Sequence, residues 1–112
     1  MDAVQPAMSD EYQILIPPSF HLLHADPRGR LTVPLAVFRA RYELCEDMAQ
    51  MLVERALSLQ HELGLADDLI FSRMHVALGS PEAGFSAGEA AWVVARLAEL
   101  LAWDAGRAAV AS

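Results

Sequence analysis

Between Phe38 and Leu63 the apolar residues Phe38, Tyr42, Cys45, Ala49, Leu52, Ala56, Leu59 and Leu63 follow one another in alternating steps of four and three. A period of 3.5 residues puts all eight on one side of an α-helix, as in a bundle seam or a coiled coil. Gly64 follows the last of them and is suited to end the helix. Pro34 marks the first turn. The pattern predicts about thirty helical residues, roughly 45 Å of helix at 1.5 Å per residue. A strand cannot use such a pattern, because its side chains alternate with a period of two.

The rest of this helix is not simply polar. Glu43, Asp47, Gln50, Glu54 and Ser58 form a stripe for water, but Val37, Leu44, Met48 and Met51 form a second apolar stripe beside the seam. A helix apolar over so wide an arc needs more than one neighbour. Two shorter helices can supply it. "LADDLIFSRMHVALG" (65–79) carries Leu69 or Ile70, Met74, Ala77 and Leu78 on one side, with Asp67 or Asp68 as its cap and Gly79 as its end. The next begins at Ser86 and Glu89, which have capping-box spacing, with Phe85 placed for a staple onto Ala90. Its inner face is Val93, Val94, Leu97, Leu100 and Leu101. Upstream, Pro18 suits the first turn of a short helix, "PSFHLLH", with Phe20, Leu23 and His24 facing inward. "YQILI" before it reads as an extended arm, since no second strand exists to pair with it. The expected fold is all-α: a small antiparallel helical bundle with one long central helix, two shorter helices, a short N-terminal helix and an extended N-terminal arm. One helical domain spans 12–104, between a disordered tail at 1–11 and a fraying tail at 105–112.

Charge restricts the chemistry. The chain has 112 residues and a formal net charge of −7, with eight arginines and no lysine. An acidic chain is repelled by a phosphate backbone, which argues against nucleic acid as a partner. Without lysine there is no P-loop lysine, Schiff base or lysine general base. The arginines are also unevenly placed. Arg28, Arg30, Arg39 and Arg41 fall within fourteen residues that contain no acid, whereas eleven acids face three arginines from Glu43 to Asp104. One end of the molecule is therefore expected to be basic and the remainder acidic. No apolar run approaches the ~18 residues of a membrane helix, and the N-terminus lacks a basic start and an apolar core of a secretory signal. With Cys45 as the single cysteine, the cytoplasm is the expected compartment and no membrane partner is expected.

The search for catalytic groups returns little. His21 and His24 share a helix face, but no Glu-x-x-His or Cys-x-x-Cys pair accompanies them, so neither a metal nor another cofactor is expected. Cys45 lies on the seam among Glu43, Glu46 and Asp47, which suits a buried structural thiol rather than a nucleophile. Glu43 with Asp47, and Glu46 with Gln50, are spaced one turn apart and read as a solvated face. A histidine phosphotransfer bundle would typically support its histidine with a lysine, which is missing. No catalytic residue is assigned.

Two stretches remain. In "HADPRGRL" (24–31), Asp26-Pro27-Arg28-Gly29 fits a type I turn. The turn accounts for Asp, Pro and Gly but not for Arg28 and Arg30, which with Arg39 and Arg41 make a candidate patch for an acidic partner or a small anion. Val37, Leu44, Met48 and Met51, with Trp92 and Trp103 from the last helix, make a candidate apolar contact surface; core packing is the alternative for them.

The phrases "IPPSF", "DPRGRLT", "ARYELCEDMAQ" and "WVVARLAELLAW" resemble a group of small uncharacterised proteobacterial proteins, some of which bear the label "ATPase with chaperone activity". The likeness spans residues 14 to 103. It implies a bacterial, chaperone-like helical protein, and it brings no established activity or catalytic residue. Nothing here supports the ATPase half of that label, since "GxxxxGK[ST]" is absent. Three functional readings follow: a non-enzymatic interaction protein acting as adaptor, regulator or chaperone-like subunit, with a homodimer among its possible assemblies; a small-anion binder using the four arginines; and, third, an enzyme using His21 or His24.

Overall fold

The seven-residue repeat becomes one uninterrupted helix in the computed structural model, which describes residues 15–103. Counting helices in chain order, α1 is Pro18–His21, α2 is Leu35–Leu63, α3 is Asp67–Leu78 and α4 is Ala87–Leu101. Single 3₁₀ turns at Leu22–His24 and Pro81–Ala83 join them. The chain is all-α among these residues, as its pattern requires. The tails expected at 1–11 and 105–112, and residues 12–14 of the arm, lie outside the described residues. Of the arm's remainder, Leu15 is exposed and Ile16 packs on the core.

Pro34, with extended backbone, precedes α2, and Gly64 ends it in the left-handed conformation at φ +64°. There the N–H groups of Gly64 and Leu65 both donate to the Leu59 carbonyl, satisfying the orphan acceptor of the last turn. Six of the eight seam residues are buried: Phe38, Tyr42, Cys45, Ala49, Ala56 and Leu59. Leu52 is half-buried. Leu63 is largely exposed, because it is the last helical residue and the chain turns away after it.

Helices α3 and α4 follow as down and up strokes. Phe71 near the start of α3 meets Trp103 just past the end of α4, with ring centroids 5.4 Å apart, so these two run antiparallel. The pairing of α2 with α4 is parallel, since successive contacts climb both helices together: Arg41 with Glu89, Tyr42 with Trp92, Glu46 with Arg96. This is the most extensive interface of the fold. Its buried positions include Cys45, Ala49 and Ala56 on α2 and Ala90, Val93, Val94 and Ala98 on α4. Small side chains let the two backbones approach closely.

The caps and faces of α3 and α4 differ from expectation in detail. Ala66, not an aspartate, is the N-cap of α3, and Asp67 and Asp68 are its first two residues, where acids complement the positive helix end. Phe71 is fully buried with Ile70, Met74 and Leu78, while Leu69 and Ala77 point to solvent. In α4 the capping box forms as spaced: the Glu89 N–H donates to Ser86 Oγ at 3.1 Å and the Ser86 N–H to Glu89 Oε1 at 3.0 Å.

The short α1 decides where the aromatic residues go. Phe20 is fully buried, its ring 5.1 Å from Trp92, 5.5 Å from Tyr42 and 5.7 Å from Phe38. Trp92, read as part of a contact surface, is therefore core: it is 8% exposed and its Nε1–H donates to Ser19 Oγ at 2.9 Å. Position along α4 put it beside Arg96 and Glu99, on the polar side. The crossing of α1 over that side covers it. Trp103 is likewise half-buried, closing the lower end against Phe71.

Replacing Leu97, fully buried in α4, by Ala should cost about 2–5 kcal/mol, whereas the half-buried Leu52 should lose less on the same change. Urea unfolding of the two variants checks the order.

Candidate functional site

The polar residues of the fold gather at Glu89. As the third residue of α4 it should meet solvent, yet its side chain is 2% exposed. Both oxygens are occupied. Oε1 accepts from Arg41 Nη2 at 2.6 Å and from the Ser86 N–H; Oε2 accepts from Arg41 Nε at 3.0 Å and lies 3.1 Å from His24 Nε2. Arg41 also donates to the Gly84 carbonyl at 2.8 Å, and its guanidinium lies 5.8 Å from the Phe85 ring centroid. Burial pushes the Glu89 carboxyl up, but hydrogen bonds from Arg41, Ser86 and His24 outweigh it and hold the group at about 2. A carboxylate so fixed and so acidic cannot give or take protons near neutral pH. It braces the fold.

This assembly removes Arg41 from the basic patch. Its fork is spent on Glu89, while Arg28, Arg30 and Arg39 are exposed. The loop that carries two of them is a closed turn. The Gly29 N–H donates to the Asp26 carbonyl at 2.9 Å, the Asp26 N–H to the Arg30 carbonyl at 2.8 Å, and Gly29 sits at φ +86°. That is a type I turn followed by a left-handed residue, the usual three-residue hairpin loop. A bridge between Ala25 and Leu31 closes it, as do the Thr32 N–H and Oγ1, both donating to the His24 carbonyl. Asp26 Oδ1 accepts the N–H groups of Arg28 and Arg30, each at 2.9 Å. The amides that an anion would seek are thus held by the loop's own carboxylate. "HADPRGRL" is a turn whose arginine side chains are left outside.

The remaining candidates separate. His21 stacks edge-on against Phe38 at 5.6 Å while His24 turns to Glu89, so the two do not share a ligand. Among the described residues no group of three or more His, Cys, Asp or Glu is arranged to hold a metal ion. Cys45 is fully buried, and burial reinforced by the Glu89 charge pushes its thiol up to about 12, leaving no thiolate at neutral pH. Glu46, read as solvated with Gln50, is half-buried. It accepts Arg96 Nε and Nη2 at 2.8 and 3.1 Å, and Gln50 Nε2 at 2.9 Å.

The second stripe of α2 behaves differently from all of these. Val37 and Leu44 are nearly half exposed and Met51 is 70% exposed, with Met48 half-buried beside them. Helix α3 has 12 residues against the 29 of α2, about 18 Å against about 43 Å, so it lines only the lower part, at a cleft formed by Leu52, Leu59, Met74 and Ala77 between Arg55 and Arg73. Among the described residues Val37 and Leu44 are only partly covered and Met51 is largely exposed. No described helix is long and apolar enough to cross a membrane. Compared with protein-family models, curated proteins and solved structures, the chain matches none of them.

The buried ion pair makes a contrast among the arginines. Arg41→Ala leaves a buried carboxylate unpaired and should cost about 3–5 kcal/mol, while Arg28→Ala with Arg30→Ala should change stability by less than about 0.5 kcal/mol. The Glu89 contribution is complete above the ordinary carboxyl value of ~4.3 and is lost as pH falls through about 2. Unfolding free energy measured from pH 6 to pH 2 should therefore decline in the native chain and decline much less in Glu89→Gln, the residual slope coming from Glu46, which Arg96 also holds low.

Proposed function

We propose that the protein is a non-enzymatic helical interaction module of the bacterial cytoplasm, an adaptor, regulator or chaperone-like subunit, whose contact surface is the uncovered stripe of α2. The observation that supports this reading is the regular row of Val37, Leu44 and Met51, exposed at seven-residue spacing on a helix whose other apolar face is buried. Isolated exposed apolar side chains are ordinary, but an aligned row of them fits a partner helix. Methionines at Met48 and Met51 adapt to partners of differing shape. The thiol of Cys45 is buried, and His21 and His24 turn to different partners.

The small-anion reading has weaker support. Arg41 is committed to Glu89 and Asp26 fills the loop amides, so Arg28, Arg30 and Arg39 serve better as a basic rim that speeds association with an acidic partner.

Leu44→Glu and Met51→Glu test the main reading. Each should leave stability within about 0.5 kcal/mol, as at exposed sites, and should abolish capture of a native partner in pull-down from the source cell. Undiminished capture by both variants would exclude the stripe as the contact surface.

A further inference from the structure

We infer that the occupant of the stripe is a second copy of this chain, laid antiparallel across α2 with Leu44 on the two-fold axis. The inference rests on the interaction reading and names its partner. It is carried first by spacing. Val37 and Met51 lie seven residues to either side of Leu44. Reversing the helix about Leu44 therefore lays the stripe on itself, which is the condition for a self-complementary two-fold contact. Leu44 meets the other Leu44, and Val37 meets the other copy's Met51. Ala40, which is exposed, meets the other copy's half-buried Met48, a small residue against a long adaptable one, as knob and hole require.

Charge chooses the direction. Residues 28–41 hold no acid and carry Arg28, Arg30 and Arg39 exposed, Arg41 being spent on Glu89, whereas α2 from Glu43 onward exposes Glu43, Asp47, Glu54 and Glu62 against Arg55, Glu46 being spent on Arg96. Parallel pairing would set basic end on basic end and acidic half on acidic half, in a chain of net charge −7. Antiparallel pairing sets each basic end on the other copy's acidic half. The lengths agree with this. With Leu44 on the axis, residues 54–63 of each α2 run past the first residue of the other α2, Leu35. They carry Glu54 and Glu62 toward the stretch of chain where the exposed Arg28 and Arg30 lie. The feature that was left unexplained in "HADPRGRL" then has a counterpart.

The test uses the full chain with new cysteines at Val37→Cys and Met51→Cys, Cys45 being fully buried and inert. Under mild oxidation an equal mixture of the two variants should give disulfide-linked dimers that neither gives alone, and Leu44→Cys should link to itself. Sedimentation of the native chain at about 50 µM should show dimer, and Leu44→Glu, which sets two charges together on the axis, should weaken association by about tenfold or more. Linking of Val37→Cys to itself would overturn the antiparallel direction. A native chain that stays monomeric at that concentration, or a Leu44→Glu variant that dimerises normally, would overturn the second copy as occupant. Should the monomeric protein still lose a different partner on Leu44→Glu, the interaction reading stands and only this inference fails.

Discussion

A carboxylate with almost no exposure, Glu89, holds the upper half of the molecule together. Burying a charge is costly, and the cost is offset only where every lone pair is used and an opposite charge is near. Glu89 meets that condition through Arg41, the Ser86 N–H and His24. Those partners come from α2, from the N-cap of α4 and from the turn after α1, and Arg41 adds the Gly84 carbonyl of the loop before α4. Three segments distant in sequence, at His24, at Arg41 and at 84–89, are thereby fixed at one point. A single apolar contact could slide by a turn. A fork bonded to both oxygens of one carboxylate cannot, so the cluster sets the register of α2 against α4. Arg96 on Glu46 repeats the arrangement further along, with the charges exchanged between helices. We regard these two forks as what makes a parallel helix pair, packed largely through small side chains, adopt one register.

The sequence shows elements more clearly than it shows their partners. The length of α2, its stop at Gly64, the capping box of α4 and the turn at Asp26 were all legible, because each depends on residues within four or five positions of one another. Trp92 was misplaced because its environment is made by α1, 73 residues away at Ser19. Periodicity within α4 carries no information about a crossing of that kind. Glu89 was read as a cap and nothing more, since a capping box is complete with local partners. A signal for its second role did exist. Arg41 stands three residues after Phe38 and four before Cys45, on the flank of the buried seam, where an arginine needs an acid partner. Grouping it with Arg28, Arg30 and Arg39 by proximity in sequence hid that position.

The same geometry explains why one apolar face of α2 is finished and the other is not. The seam and its flank at Arg41 meet α4 and α1, and Leu52 and Leu59 meet α3. Helix α3 ends after 12 residues, and the chain then spends Gly79 to Ser86 reaching the level of Arg41. Those residues form a 3₁₀ turn and loop, which supply little apolar surface. Val37, Leu44 and Met51 lie outside the buried core that this path builds. Folding is served by residues on the far side of the helix, and polar side chains at these three positions would be as helical and more soluble.

That separation is informative about function. Where one set of residues both stabilises a fold and binds, the two properties cannot be read apart. Here the braces of the fold, Glu89, Arg41, Glu46 and Arg96, face α4, and the exposed stripe faces away from it. A change in the braces should act on stability and on its dependence on pH. A change in the stripe should leave the isolated fold intact and act only where α2 meets something else. On the proposed reading the apolar side chains of the stripe serve contact rather than folding, and the exposed arginines of the hairpin loop, which the turn does not require, belong with them.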